Sequence, residues 1–441
     1  MVIADTMRLD ALSVSQGSKR LTNISELANN STIYNEAITT SSWTLPAHLS
    51  IFTGEYPSQH KIHEGNTEKY IHYPKKVSSI DRKFITNHLK YNGYTTSAIS
   101  ANPFISSDFS FGKYFDIFIN SENRWLEGIK ESAEINSIRE KYQGTESHKV
   151  AGEIIRNEGF VKGLETVIKL YEYRRNQRKV ADFYNYPVDK GYTFVKRVFE
   201  TLKLEEPFFV FVNLMEMHEP YIGIDDKEVD PKSIRASYIS PWLKKNIRKM
   251  YYEQTRKVDE TLGSIIYFLK RNQIYDDTLL IFTSDHGQGL FDHNYYTHGN
   301  FLYDELVKVP LIIKYERGRG YGNTDSGSRG LISLSSLYNL IIEHSDGNID
   351  QTIKMDESVF SETFGLHAKI KNPPEQYTLK RKAIFKDGRK LTLNERGEVE
   401  EFISYNRRDG SEGGADSIKT ELINEVEEFA GKDFFENEEE M

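Results

Sequence analysis

The sequence predicts an α/β protein with a mostly parallel central sheet, followed by a small C-terminal α+β region with an antiparallel sheet. Three observations predict it. Phe208–Val212, Thr278–Thr283 and Val309–Ile313 are largely continuous apolar runs, as in strands covered on both faces. Segments of helical periodicity separate such runs, and that alternation is the pattern of helices wound about a parallel sheet. Past residue 345 the pattern changes to short strands joined by Asp387-Gly388 and Arg396-Gly397, which are hairpin signals.

In chain order, Val2–Ala4 reads as a strand ending at Asp5, and Asn23–Ala28 as a helix. Ile33–Ile38 reads as a strand leading into Ser42-Trp43-Thr44-Leu45-Pro46-Ala47-His48-Leu49-Ser50-Ile51-Phe52-Thr53-Gly54. In that stretch Pro46 suits the first position of a helix, where its missing N–H costs nothing, and Gly54 a helix end. Thr44 is therefore expected, exposed, on a loop at the N-terminal mouth of a short buried helix. Ser79–Tyr91 is helical by its spacing of Ile80, Phe84 and Leu89, and Asn92-Gly93 closes it. Thr95–Ser100 is a strand, followed by the turn Ala101-Asn102-Pro103.

Residues 121–200 are rich in charge and helical periodicity, and are expected to form a helical insertion or lid. Their basic patch, Arg174, Arg175, Arg178 and Lys179, reads as a solvated face or as a docking surface for an anionic polymer. Val258, Leu262, Ile265, Ile266 and Leu269 mark one face of a helix, and Leu331–Ile342 reads as another. Lys382–Phe385, Lys390–Asn394 and Val399–Ser404 are short strands, Ser417–Phe429 is an amphipathic helix, and the tail from Phe434 is acidic. The expected division is a catalytic domain over 1–345 and a small domain over 346–441.

The composition, 38% hydrophobic and 28% charged over 441 residues, is that of a globular protein. A net charge of −9 argues against a nucleic-acid partner. It allows an anionic substrate, because a bound metal inverts the local field. The absence of cysteine excludes disulfides, thiolate metal sites and a cysteine nucleophile. No apolar run approaches the roughly 20 residues that span a bilayer, and no signal peptide is visible, so no membrane span and a cytoplasmic location are expected. The oligomeric state stays open.

In parallel α/β sheets ligands bind beyond the carboxyl ends of the strands. Asp5, His218 and the pair Asp285-His286 all follow such ends. An adjacent Asp-His offers an oxygen and an imidazole to one cation, and Asp5 adds a carboxylate from a distant part of the chain. Singly, each has a plain reading as a cap, a turn residue or a surface polar group. Together with a hydroxyl at a helix mouth, where backbone N–H groups and the dipole favour an anion, they read as a site for attack on a phosphate or sulfate ester.

Asp5-Thr6-Met7-Arg8-Leu9-Asp10, Thr44-Leu45-Pro46-Ala47-His48 with Thr53-Gly54, His218-Glu219-Pro220-Tyr221, Ser284-Asp285-His286-Gly287 and Thr297-His298-Gly299 with Val309-Pro310 resemble, in order and approximate spacing, the sulfatase family of the alkaline-phosphatase superfamily. The resemblance covers roughly residues 1–345. It implies an alkaline-phosphatase-like three-layer sandwich, with Thr44 as nucleophile on the metal. It also implies Asp5, Asp285 and His286 as further metal ligands, His218 at the ester or leaving group, and His298 on the substrate anion. His48 stands where the family carries an arginine four residues after the nucleophile, so substrate binding is expected of it.

The departures bear on chemistry. Sulfatases oxidise a Cys or Ser to formylglycine, and the β-methyl of Thr44 closes that route. Thr6 replaces a second acidic residue, and no Lys-His pair is recognisable around Ala101-Asn102-Pro103. Threonine at the nucleophile position instead resembles superfamily members that cleave or transfer phosphoesters, such as nucleotide-pyrophosphatase-type phosphodiesterases and lipoteichoic-acid-synthase-type glycerol-phosphate transferases. The expectation is a metal-dependent hydrolase or transferase of phosphoesters, phosphodiesters first, through a phospho-Thr44 intermediate, with His218 protonating the leaving oxygen. The alternatives are a sulfatase working without formylglycine and a catalytically silent binding protein. Carboxylate and imidazole ligands suit one divalent ion, Mn²⁺, Mg²⁺, Zn²⁺ or Ca²⁺. A second ion would have to draw on Glu216, His218 and His298.

Overall fold

The computed structural model describes residues 1–14, 21–63, 73–80, 83–121, 150–159, 161–164, 166–167, 189–219, 221, 239–316, 330–365, 374–405, 415–431 and 434–435. The basic patch at 174–179 and the acidic residues 436–440 lie outside them. The chain divides into two compact units, Met1–Asn120 with Gly191–Met441, and Ser121–Lys190. In the second, the described helix is Val150–Glu158. The sequence extended this charged region to residue 200, but the helix Tyr192–Thr201 belongs to the first unit, where Val195 and Phe199 are buried.

The first unit carries fourteen described strands: β1 (Val2–Ala4), β2 (Thr32–Ile38), β3 (Thr95–Ser100), β4 (Ile117–Asn120), β5 (Phe208–Leu214), β6 (Leu280–Thr283), β7 (Gly289–Leu290), β8 (Tyr296–Thr297), β9 (Lys308–Lys314), β10 (Ile332–Ser333), β11 (Ser358–Thr363), β12 (Arg381–Lys386), β13 (Arg389–Asn394) and β14 (Val399–Ser404). Eight form the central sheet in the order β10-β2-β9-β6-β1-β5-β3-β4. All its pairings are parallel except those of β9, which runs against both β2 and β6. Val2 registers with Val212 on one side and Phe282 on the other, so β1 sits mid-sheet with its whole length buried.

Side-chain alternation divides the core into two layers. Val212 and Leu214 of β5 face a cluster with Val2, Ala4, Phe282 and the helix Pro241–Arg271. Phe211 points the other way and meets Phe52 of the helix Thr44–Thr53 edge-on at 5.0 Å. A period of two along a strand covered on both faces requires apolar residues at every position, which is what made Phe208–Val212 legible. None of the described helices is long and apolar enough to cross a membrane.

Two helices differ from expectation. Leu331–Ile342 splits into strand β10 and the helix Ser336–Ser345, because Ile332 and Ser333 pair with Ala37 and Ile38. Ser79–Tyr91 shortens to Ile85–Tyr91, with Phe84 extended just before it. At the C-terminal end, β11 to β14 form an antiparallel sheet whose Asp387-Gly388 turn joins β12 to β13 as predicted. Ile384, Leu391 and Leu393 on one face pack on Leu422 and Val426 of the helix Ala415–Ala430. Ala383 and Phe385, on the alternate face, pack on Ile38, Leu306 and Val307 of the main body.

Candidate active site

The parallel strands end along one edge of the sheet, and the polar residues that follow them meet there. Asp5 follows β1, Asn102 follows β3, His218 follows β5, and Asp285-His286 follow β6. The segment after β2 delivers Thr44. Two backbone features hold this edge. Thr6 sits in the left-handed region at φ 59°, unusual for a β-branched residue, and its N–H donates to Asp285 Oδ1 at 3.1 Å. Gly287 is so close to the carbonyl oxygen of Glu305 that a Cβ would lie 1.9 Å from it, so only glycine fits after His286.

Thr44 is the first residue of the helix Thr44–Thr53 rather than part of a preceding loop. Trp43 is the N-cap, in extended conformation, and Pro46 is the third residue of the helix rather than the first, still in the turn whose N–H groups lack helical partners. Gly54 closes the helix at φ 72°, and its N–H donates to the carbonyl of Ser50. All ten helical residues are buried; Thr44 is 2% exposed instead of open to solvent. Its Oγ1 lies 3.1 Å from His286 Nε2. His286 Nδ1 is 2.9 Å from the carbonyl oxygen of Gly287, so Nδ1 bears the hydrogen and Nε2 turns its lone pair toward Thr44 and the carboxylates.

Asp5, Asp285 and His286 present ligand atoms within 4.8 Å of one another, all buried. Asp5 Oδ2 accepts from Asn102 Nδ2 at 2.5 Å, and Asp285 Oδ1 accepts the N–H groups of Thr6 and His286. Among the described residues Asp5 Oδ1 and Asp285 Oδ2 have no hydrogen-bond partner, although both are buried. Burial, and for Asp5 also the charge of Asp285, pushes the carboxyls up: Asp5 well above its usual range, Asp285 to about 7. Burial lowers His286 to about 3, which keeps it a neutral ligand. Two orphaned carboxylate oxygens beside an imidazole lone pair and a hydroxyl are a donor set that fits a hard or borderline divalent cation.

His48 is fully buried and both its ring nitrogens face protein groups. Nδ1 donates to the carbonyl oxygen of Thr44 at 2.9 Å and lies 3.4 Å from Asp285 Oδ2; Nε2 accepts from Asn213 Nδ2 at 3.1 Å. Burial lowers its pKa to about 3. The substrate contact expected of His48 does not fit this geometry. It is a neutral prop beneath the turn that carries Thr44.

His218, Glu219 and His298 form a second cluster with ligand atoms within 4.8 Å of one another. The sequence named Glu216 beside these histidines, but it is Glu219 that groups with them. His298 lies 4.5 Å from His286 and 5.0 Å from His218 between ring centroids, and 5.2 Å from the Trp43 ring. The structure thus brings Thr44, Asp5, Asp285, His286, His218 and His298 to one place.

Asn102, Asn213, Glu219, Gln288 and Trp43 were not singled out as site residues. Asparagine and glutamine carry no charge pattern to find, and the only signal was position: Asn102 stands in the turn just after β3, and Asn213 is the penultimate residue of β5.

A family model described as Sulfatase matches residues 1–344. The chain is 23% identical over 350 residues to the uncharacterized sulfatase YidJ of Escherichia coli (strain K12), covering 72% of this chain and 62% of that protein. It is 22% identical over 325 residues to the choline-sulfatase of Rhizobium meliloti (strain 1021), covering 66% of this chain and 57% of the relative. The match spans less than two thirds of the length of either. The fold is similar to that of a phosphonate monoester hydrolase from Silicibacter pomeroyi, with a TM-score of 0.60 at 14% identity over 97% of this chain and 94% of the other.

Proposed function

The chain belongs to the sulfatase family, and from that premise we propose that it is a metal-dependent hydrolase or transferase of phosphoesters, phosphodiesters first, acting through a covalent phospho-Thr44 intermediate. Membership of the family supports hydrolysis of sulfate or phosphate esters. The observation that carries the finer reading is the Thr44 hydroxyl, 3.1 Å from His286 Nε2 and at the N-terminus of a ten-residue helix. Oxidising a threonine side chain gives a ketone, not an aldehyde, and the chain has no cysteine, so the hydroxyl itself is the group available for attack. Residues 1–345 make the catalytic part in this reading, and 346–441 a smaller appended one.

Asp5, Asp285, His286 and Thr44 are the residues that would hold the divalent cation. When bound, it lowers the pKa of the hydroxyl and screens the anionic ester. Thr44 Oγ1 forms a bond to phosphorus as the bond from phosphorus to the leaving oxygen breaks, and the hydroxyl proton passes to solvent. His218 Nδ1 donates to its neighbour's carbonyl oxygen at 2.6 Å, so Nε2 is the atom left for the leaving oxygen, and it serves as acid in the form that carries a proton there as well. Such a proton transfer contributes about 10²–10⁴-fold. His298 meets the non-bridging oxygens. His48 fixes the carbonyl of Thr44, and the helix dipole favours the anion. Water or an acceptor alcohol then attacks phosphorus and restores the hydroxyl.

The test is Thr44→Ala on an aryl phosphodiester, with intact-mass measurement after acid quench. The wild type should carry a phosphoryl adduct on Thr44, and the variant should lose both adduct and turnover while keeping its circular dichroism. Full turnover by the variant overturns the reading. The relatives named as sulfatases favour a second reading, sulfate-ester hydrolysis at the same hydroxyl. Faster turnover of an aryl sulfate than of the matching phosphate esters on one preparation would select it.

A further inference from the structure

The turn after β1 carries Asp5 and then takes a path its sequence does not favour. Thr6 is β-branched and lies at φ 59°, a conformation that costs free energy and persists only where the surroundings over-determine it. Its side chain gives no support, since Oγ1 is buried and has no hydrogen-bond partner among the described residues. The support comes to the backbone. On one side of Thr6, its own N–H donates to Asp285 Oδ1 at 3.1 Å. On the other, the peptide joining Thr6 to Met7 is pinned at both edges. The Met7 N–H donates to Ser284 Oγ at 2.8 Å, and the Thr6 carbonyl oxygen accepts from the Tyr251 hydroxyl at 2.8 Å. With both flanking peptide planes fixed, the dihedrals of Thr6 are fixed too.

Tyr251 is the pin that comes from outside the sheet edge. It lies in the helix Pro241–Arg271, 245 positions from Thr6, and its hydroxyl also accepts the N–H of Arg8 at 2.8 Å. Its side chain is wholly buried, with the rings of Tyr221 and Tyr252 edge-on to it at 6.0 Å and 5.1 Å. Burial pushes the phenol well above its usual range, so the hydroxyl keeps the proton it donates. Without that bond the strain at Thr6 is relieved by a rotation that draws its N–H away from Asp285 and shifts Asp5, the residue before it.

We propose that Tyr251 is a positioning residue for the candidate cation site: its hydroxyl holds the Thr6–Met7 peptide, and the left-handed turn so fixed keeps the carboxylates of Asp5 and Asp285 in register. The inference deepens the site reading above and rests on it.

The experiment is a double-mutant cycle on the full chain, stripped with EDTA and titrated with Mn²⁺ or Zn²⁺ by calorimetry, with melting temperatures taken in EDTA. Its members are the wild type, Tyr251→Phe, Thr6→Gly and the double variant. Tyr251→Phe keeps the packed ring and removes only the hydroxyl. As outer partners of metal ligands are worth about 10–100-fold, its ion affinity should fall by about 10-fold. Glycine enters the left-handed region without steric cost, so in the Thr6→Gly background the same substitution should cost little affinity. Thr6→Asn repeats the rescue if the Thr6→Gly variant does not fold, because asparagine also tolerates that region. Wild-type affinity in Tyr251→Phe overturns this inference and leaves the cation reading standing, even if the melting temperature drops, since the hydroxyl then serves stability alone. An equal loss in both backgrounds overturns it too. No ion in any form, wild type included, overturns the cation reading and this inference with it.

Discussion

Asn213 Nδ2 donates to His48 Nε2 at 3.1 Å, and the opposite nitrogen of that ring donates to the carbonyl oxygen of Thr44. Strand β5 is thereby joined through one imidazole to Thr44, which carries the hydroxyl proposed as nucleophile. The neutral His48 ring can donate to the carbonyl only in the tautomer with its hydrogen on Nδ1, and Asn213 selects that tautomer by donating to Nε2.

Asn213→Leu removes the donor and lets the ring rotate or change tautomer. Since outer-shell partners of this kind are worth about 10–100-fold, kcat on the preferred aryl ester should fall by that factor. KM should change little, because Asn213 is buried beneath the site. An unchanged kcat would show that the His48 ring needs no such support.

Asn102 plays the matching part at the candidate cation site. Its Nδ2 is the side-chain donor to Asp5 Oδ2, in the turn after β3. Asn102→Leu leaves that oxygen buried and unsatisfied. Divalent-ion affinity, read by calorimetry, should weaken about 10-fold or more, with the native fold retained. Affinity equal to wild type would mean that Asp5 is oriented by its backbone alone.

Removal of metal should destabilise the protein. Asp5 and Asp285 are wholly buried, and each repels the other's ionised form. Chelation should lower the melting temperature, and re-addition of the divalent ion should restore it. At an ion concentration 100 times the dissociation constant the linkage is about 2.7 kcal/mol per site. A transition indifferent to EDTA and to added ion would contradict a cation at this pair.

His60 sets an acid limit on stability away from the ligands. It is buried, it faces the Ser50 hydroxyl at 3.3 Å, and its Nδ1 accepts the N–H of Ile62 at 3.2 Å. Burial lowers its pKa from 6.5 to about 3. The unfolded chain therefore takes up a proton near pH 6.5 that the folded chain refuses. Stability is greatest above pH 6.5 and declines as pH falls toward 3. His60→Gln should cost about 1 kcal/mol at pH 7 through altered hydrogen bonds, and should flatten the decline between pH 6.5 and 4 in urea melts. A slope equal to wild type would place the acid sensitivity elsewhere.

The candidate site was legible where chemistry leaves a local mark. Asp5, Thr44, His218, Asp285, His286 and His298 were read from strand-end positions and motif resemblance, and the structure gathers them. The supporting groups were not legible. Nothing near Asn213 says that it faces a histidine 165 positions earlier, and nothing near Asn102 points to Asp5, 97 positions away. Glu219 was passed over for Glu216 because both follow β5 closely, and only the path of the chain past the strand decides which joins the histidines. The helix read over Leu331–Ile342 became partly strand for a similar reason: β10 exists by pairing with β2, and an isolated apolar run of that length suits either state.

By itself the sequence determined the layered α/β fold and the family, because apolar periodicity and short motifs are properties of neighbouring residues. The tertiary structure alone decided that His48 lies buried against Thr44, that Asn102 holds Asp5 and Asn213 holds His48, and that Glu219 groups with His218 and His298. Those facts depend on hydrogen bonds between segments 69 to 279 residues apart. Distances of that kind exist only once the sheet has ordered its strands and brought their carboxyl ends to a common edge.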